Sequence, residues 1–290
     1  MIIAALWLIS RNEIWGNPSC FYCLDVIIGV STLDSQCRVC GSFVNQSIFS
    51  AKLLNRTVNY FDCPKCRYVQ TQEPEWLDQA YSSAINNCDT GIMVRNLANS
   101  RLVAATLHSL GLTTGTVVDC AGGYGILVRL LRDRGIDAYW SDPYCKNALA
   151  VGFEFNEESA DLVTAFEAFE HFVNPEIELK KLFEIAPNVL LSTELIADPA
   201  PAAENWWYYG LDHGQHIGFF RVQTLQYLAE RFHKNLCTDG RGRHLFSDKP
   251  ISTRKWKTNT LIERFIPGFF SRNLPSRVWS DFELMSRAKK

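Results

Sequence analysis

The chain has 290 residues, 47% of them hydrophobic and 21% charged, with a formal net charge of −2. That length accommodates one α/β domain of roughly 150–200 residues plus smaller pieces, and the composition excludes a disordered or low-complexity protein. Charge is uneven: residues 241–290 hold 12 Lys/Arg against 4 Asp/Glu, leaving 17 against 27 before them. A basic end on an acidic body suits a phosphate-bearing or membrane-surface partner, with a merely solvated surface as the plainer alternative.

In chain order, residues 1–33 are unlike the rest and are expected to form a poorly ordered extension. Met1-Ile-Ile-Ala-Ala-Leu-Trp-Leu-Ile9 is apolar, but no basic residue precedes it and Arg11 follows it. Without a clean small-x-small cleavage site it does not read as a secretory signal, so a cytoplasmic protein is expected. No stretch approaches the roughly 18 apolar residues of a membrane span.

Six of the ten cysteines form Cys-x-x-Cys pairs: Cys20/Cys23, Cys37/Cys40 and Cys63/Cys66. The last two pairs are separated by 22 residues, close to the spacing of four-cysteine zinc sites. A Cys-x-x-Cys turn lets two thiolates meet one tetrahedral ion, and Gly41 directly after Cys40 suits the knuckle. Cys20-Phe-Tyr-Cys23 runs into an apolar stretch and lacks that signature. Disulfides are the rival, disfavoured by a reducing compartment. Residues 34–73 therefore read as a small zinc ribbon holding one structural Zn²⁺ through Cys37, Cys40, Cys63 and Cys66. Cys88, Cys120, Cys145 and Cys237 are isolated and read as core or surface residues.

Pro74-Glu75-Trp76 reads as a linker into a domain spanning 74–250. Leu97, Arg101, Leu102, Leu107 and Leu110 predict a helix ending at Gly111. Val117-Val118-Asp119-Cys120-Ala121-Gly122-Gly123-Tyr124-Gly125 then reads as a strand running into a glycine turn. Leu127, Leu130 and Leu131 place the following residues on a helix, and 137–141 is a second strand ending on Asp142. Glycines let the backbone pass close to a ligand, and the helix N-terminus offers free N–H groups to an anionic part. An acid at the end of the second strand is placed for ribose hydroxyls. This is the pattern of a nucleoside-cofactor site. Val128 stands where a dinucleotide fingerprint would need its third glycine.

The stretch resembles motif I of class I S-adenosylmethionine-dependent methyltransferases, Asp-x-Gly-x-Gly-x-Gly. Asp119, Gly123 and Gly125 match, and Ala121 replaces the first glycine. The resemblance implies S-adenosylmethionine as cofactor, seated by Ala121, Gly122, Gly123 and Gly125, with Asp119 ordering the loop and Asp142 on the ribose.

A short helix is expected near 146–151, a strand at 161–166, a helix at 175–184 and a strand at 188–193. Val222, Leu225, Leu228 and Phe232 share one helical face, and 243–247 is expected to close the sheet as an antiparallel strand. Alternation at this spacing implies an α/β protein with a doubly wound, Rossmann-like, mostly parallel sheet. Residues 251–290 read as a basic C-terminal tail.

Ligands in such sheets sit outside the carboxyl ends of the strands, which puts Phe166 and Glu167 beside the cofactor. Glu167-Ala-Phe-Glu170-His171 resembles the Glu-x-x-Glu-His element of many class I methyltransferases. In O-methyltransferases of ubiquinone biosynthesis and of small-RNA 2′-hydroxyl ends that element binds a divalent metal; elsewhere it packs or caps. After the fifth strand comes Trp206-Trp207-Tyr208-Tyr209-Gly210-Leu211-Asp212-His213-Gly214-Gln215-His216-Ile217-Gly218-Phe219-Phe220. Aromatic faces stack on sugars and cofactor rings, and the two histidines suit proton transfer near neutral pH. The plain alternative is aromatics capping the core and histidines bonded to backbone.

A cysteine zinc module, a class I core and this segment together are similar to the sugar C-methyltransferase family of sugar-nucleotide pathways. His216 matches that family's histidine, while Gln215 and Phe219 replace its glutamate and tyrosine. The roughly 50 residues after Thr238 cannot supply that family's nucleotide-binding C-terminal domain. The resemblance implies a methyltransferase acting on a small hydroxylated acceptor, a sugar, sugar nucleotide or glycan precursor, with His216 and secondarily His213 as base. Two alternatives stay open: metal-assisted O-methylation of another small molecule, and a nucleic-acid-modifying enzyme gripping through the ribbon and basic tail. The pI of 6.3 and the lack of an Arg/Lys-aromatic stripe speak against nucleic acid.

Overall fold

The structure, a computed structural model, describes residues 35–81 and 89–287. The expected 1–33 extension with Cys20 and Cys23, and Cys88, lie outside the described residues. β1 (Ser35–Gln36) and β2 (Phe43–Val44) form a small antiparallel pair, followed by an antiparallel meander of β3 (Ser47–Leu53), β4 (Arg56–Asp62) and β5 (Val69–Thr71). After α1 (Leu77–Ala80) and α2 (Ile92–Leu110) the α/β core begins with β6 (Thr116–Asp119), α3 (Ile126–Asp133) and β7 (Asp137–Trp140). It continues through β8 (Leu162–Ala165), α4 (Pro175–Ile185), β9 (Asn188–Ser192), β10 (Gly218–Phe219) and α5 (Val222–Arg231). β11 (Asn235–Thr238), β12 (Arg243–Ser247), α6 (Thr253–Phe265) and α7 (Val278–Arg287) complete the described chain.

Six strands make the main sheet in the order β11-β12-β9-β8-β6-β7. β7, β6, β8 and β9 are parallel, and β12 runs antiparallel to β9 as expected. Successive side chains on a strand face opposite ways. Val117, Leu162, Leu190 and Leu245 thus pack under α2, α3 and α6, while Val118, Val163, Val189 and Phe246 pack with α4 and α5. Helices on both faces make the sheet doubly wound. The chain passes from β6 to β7 on one side and then crosses back to β8 on the other side of β6, so the crevice opens beyond the carboxyl ends of these strands.

Tertiary contacts redraw four local expectations. Residues 146–151 form no helix: the Ala148 and Leu149 N–H groups donate to the Tyr124 carbonyl, and Asn147 Oδ1 takes the Ala150 N–H, so three successive N–H groups point to partners outside a helical ladder. Of the 251–290 stretch, expected as a tail, the described residues form α6 and α7; Trp256 and Asn259 are buried and donate to Thr106 and Ser109 of α2. Trp76, expected in a linker, is buried with its indole N–H on the Gly214 carbonyl. The N-terminal sheet does not end at residue 73, because β10 joins it antiparallel to β5.

Candidate functional site

The two Cys-x-x-Cys turns face one another. Gly41 N–H donates to the Cys37 carbonyl with Gly41 at φ 70°, and Arg67 N–H donates to the Cys63 carbonyl with Arg67 at φ 63°. Both knuckles close through a left-handed residue, and the second uses arginine where glycine is the easier choice. The sulfurs of Cys37 and Cys66, and of Cys40 and Cys63, are 3.4 Å apart, and all four lie within 4.8 Å of one another without a disulfide.

On the core side, a cavity of about 500 Å³ lies beyond β6 and β8. Asp119, Ala121, Gly122, Gly123, Asp142, Phe166, Glu167, His213 and His216 line it. Gly125 sits just behind that wall as the N-cap of α3, at φ 84°. Gly122 and Gly125 are sterically required: a Cβ would come 2.3 Å from Trp140 Cδ1 at the first and 2.8 Å from Ala150 Cβ at the second. Asp142 Oδ2 accepts the Gly123 N–H at 2.9 Å, and Oδ1 accepts those of Tyr144 at 2.9 Å and Cys145 at 2.8 Å. A carboxylate has about four acceptor positions, so this one orders the glycine turn and keeps capacity for a ligand. The Asp119 carboxylate accepts the Thr164 hydroxyl at 2.8 Å, which ties β6 to β8. Burial pushes its pKa up to about 7, against the Thr164 bond and with the help of the Asp142 charge.

Glu167 follows β8 at φ 51°, a left-handed conformation that a non-glycine residue holds only under constraint. Ser192 provides it: its Oγ accepts the Glu167 N–H at 2.9 Å and donates to Glu167 Oε1 at 2.6 Å. Burial and then the Glu170 charge raise the Glu167 pKa.

The histidines divide in role. His213 Nδ1 accepts the Gln215 N–H at 3.1 Å, which in the neutral ring leaves the proton on Nε2; burial lowers its pKa to about 4. In this tautomer Nε2 is a donor and the Nδ1 lone pair is already engaged. His216 is opposite: Nδ1 lies 2.6 Å from the Tyr208 carbonyl, an acceptor, so Nδ1 carries the proton and Nε2 a lone pair. Burial holds its pKa below the usual histidine value.

His171, which the sequence placed in the Glu-x-x-Glu-His element, also directs Nδ1 to a carbonyl, that of Gln215 at 3.0 Å, with the Tyr81 hydroxyl at 2.9 Å. Nε2 of His171 and of His216 stand 3.8 Å and 4.0 Å from Glu170 Oε1. Glu170 is fully buried; among the described residues neither of its oxygens has a hydrogen bond of ordinary geometry, the Tyr208 and Thr193 hydroxyls being near it. Three acceptors thus converge on one point.

Sequence reasoning missed the wall built by α2 and its approach, where Asp89, Arg95, Asn96 and Asn99 line the cavity. The three-to-four-residue spacing of Arg95, Asn96 and Asn99 was a usable signal. It also missed Trp140, whose indole N–H holds the Gly123 carbonyl at 2.9 Å, for which the sequence carries no marker. Of the aromatic run, only Trp207 is exposed; Trp206 and Tyr209 pack with Tyr60 and Phe219, whereas buried Tyr208 lines the cavity beside Trp207.

The family profile described as "Methyltransferase domain" matches residues 88–234. A search of curated protein sequences finds no match. Among solved structures, similarity extends to TnmH (16% identity, TM-score 0.37, 61% of this chain and 62% of that one). It extends also to an O-methyltransferase family protein from Burkholderia thailandensis (17%, 0.40, 61% and 68%). A third is human N-acetylserotonin methyltransferase in complex with SAM (14%, 0.39, 60% and 66%). The chain spans about three fifths of the length of TnmH.

Proposed function

The chain belongs to the methyltransferase domain family, and from that premise we propose that it transfers a methyl group from S-adenosylmethionine to a small hydroxylated acceptor, a sugar or glycan precursor. The observation that carries this reading is one cavity shared by the glycine turn, Asp142 and the free Nε2 of His216. S-adenosylmethionine, when bound, supplies an electrophilic methyl on a sulfonium centre. The cradle fits it: glycines where a Cβ would collide, a helix N-terminus, and an acid with acceptor capacity left. Ala121, Gly122 and Gly123 would lie along it with Gly125 shaping the turn, Asp142 would accept ribose hydroxyls, and Phe166 and Glu167 would flank it.

The rest falls to positioning and proton removal. His216 Nε2 takes the acceptor's hydroxyl proton, and the Tyr208 carbonyl holds the ring in the competent tautomer and favours the imidazolium that forms. His213 and the α2 wall bond the remaining hydroxyls, and Trp207 offers an exposed ring for stacking at the rim.

Convergence of Glu170, His171 and His216 supports a second reading, metal-assisted O-methylation. A buried carboxylate facing two imidazole lone pairs calls for a cation, and the carbonyl bonds on both Nδ1 atoms orient the rings as metal ligands are oriented. Mg²⁺ or Mn²⁺ there would lower the pKa of an acceptor hydroxyl. For the N-terminal module we propose one structural Zn²⁺. Tetrahedral Zn–S bonds of about 2.3 Å give sulfur–sulfur edges of roughly 3.8 Å, which the cysteine cluster fits with little adjustment.

One experiment separates the two catalytic readings. With His216 as base, His216→Ala lowers turnover roughly 10²–10⁴-fold with cofactor affinity nearly intact, and a brief chelator treatment does nothing. The wild-type rate is flat through neutral pH and falls only on acidification below the ordinary histidine range, because burial lowers this pKa. Rapid inactivation by chelator, reversed by Mg²⁺ or Mn²⁺ but not Zn²⁺, rejects the base reading for the metal one.

A further inference from the structure

The C-terminal helices carry a surface that the methyl-transfer site does not use. α7 is pinned along one side. Asp281, buried, receives a two-pronged bond from Arg132, Nε to Oδ2 and Nη2 to Oδ1, both at 2.8 Å, and a further contact from Arg129. One turn on, Met285 meets Gly152. Large apolar side chains stand out on the exposed side, Trp279 at 74% and Phe282 at 61% with Val278 and Leu284 exposed too, beside exposed Ser280, Glu283, Ser286 and Arg287. Val278, Phe282 and Met285 form one wall of a shallow groove of about 350 Å³, with Leu149, Val151 and Phe153 opposite. Leu149 and Val151 are themselves exposed, so the apolar area continues across the groove. The end of α6 adds Phe265, 76% exposed, and Ile266. Glu263 of α6 bonds Arg134, and the Arg277 N–H bonds the Arg132 carbonyl, so the end of α6 and the start of α7 meet the same corner of the core.

Two of the three acids on these helices are buried and the third is exposed. Of the acids in 253–287, Glu263 and Asp281 are buried in contacts with core arginines and backbone N–H groups, and Glu283 pairs with Arg287 at 3.5 Å. Arg254, Lys255, Lys257, Arg264 and Arg272 are exposed. Arg264 and Arg272 stand over the rings of Phe265 and Phe269. The unpaired exposed charge at the end of α6 is therefore basic, beside aromatic rings, while Glu283 is exposed next to Arg287 and Asp133 lines the groove beside Arg129. No helix among the described residues is long and apolar enough to cross a membrane.

An exposed apolar patch of this kind marks a contact surface, and aromatic residues beside basic ones suit the headgroup region of a bilayer. We propose that the outer face of α7, the adjoining 148–153 loop and the end of α6 dock peripherally on an anionic lipid surface. Trp279 and Phe282 insert between headgroups, and the exposed Arg264 and Arg272 contact their phosphates and carboxylates. The Ala148 and Leu149 N–H groups bond the Tyr124 carbonyl, and Tyr124 lines the catalytic cavity, so docking brings the membrane to the cofactor side of the cavity mouth.

The test is sedimentation of the full chain with vesicles of phosphatidylcholine alone or mixed with phosphatidylserine. The expected result is binding to the mixed vesicles, at least about tenfold weaker to phosphatidylcholine and weakened by salt, since headgroup attraction is screened. Trp279→Asp with Phe282→Asp, and separately Arg264→Glu with Arg272→Glu, should each reduce binding about tenfold or more. These positions are exposed, and unchanged circular dichroism confirms the fold. No binding to the mixed vesicles at low salt, or equal binding by both variants, overturns the proposal. Self-association of the wild type that Trp279→Asp abolishes, without vesicle binding, makes the face an interface between copies and overturns it equally.

Discussion

Asp142 acts on the backbone of its own site before any ligand arrives. Its three accepted N–H bonds hold the glycine turn against the start of the 144–145 loop. Asp142→Asn keeps the shape but turns one acceptor into a donor that faces an N–H. Affinity for S-adenosylmethionine should then drop by roughly 1.5–3 kcal/mol, the range for a charged hydrogen bond, as calorimetry would register. An unchanged affinity removes Asp142 from the cofactor site. The motif made this residue legible, because a strand ending in an acid beside a glycine turn has few other uses. Trp140 was not legible: its role depends on a parallel neighbour strand delivering the ring beneath Gly122.

Among elements, the paired knuckles and β10 belong together. β5 begins three residues after Cys66 and pairs with β10, which starts two residues after His216. Arg221 adds a second tie, with a bidentate bond to Asp62 at 2.9 Å and 2.8 Å and another to the Arg67 carbonyl. Metal binding and folding are coupled at such sites. Cys63→Ser should release the proposed Zn²⁺, lower the melting temperature and reduce turnover, whereas Cys20→Ser with Cys23→Ser should leave metal content unchanged. Elemental analysis with thermal denaturation checks both; zinc lost only from the second variant means the wrong turns were paired. The cysteine spacing was readable because ligand geometry restricts it locally. The partnership with β10 was not, since a two-residue strand has no periodicity to read.

For the whole molecule, α7 is held through Asp281, paired with Arg132 and Arg129, and its loss should be felt globally. Burial pushes the Asp281 carboxyl up, but Arg132 and Arg129 more than offset this and hold it below the usual carboxylate range. A lowered folded pKa means that this stability is present above the unfolded value of about 3.9 and is lost as pH falls through the folded one. Asp281→Ala leaves Arg132 buried without its main partner and should destabilise the protein by about 3 kcal/mol at neutral pH. Urea denaturation together with faster proteolysis of the C-terminal segment would show it. Unaltered stability means that α7 is anchored by packing alone.

Sequence by itself determined the alternation of strands and helices, the glycine turn, the cysteine pairs and the antiparallel closing strand, because each is encoded in a pattern of a few neighbouring residues. Tertiary structure decided what depends on distant partners. It turned an expected tail into two packed helices by burying Trp256 and Asp281, and drew a linker tryptophan into a core. It left 146–151 without a helix by giving two of its N–H groups to Tyr124. It also set His216 against Glu170, 46 residues earlier in the chain, and gave His213 and His216 opposite tautomers through two different backbone bonds. Local pattern names the chemistry available to a residue; which neighbour desolvates it and which bond orients it are properties of the folded chain.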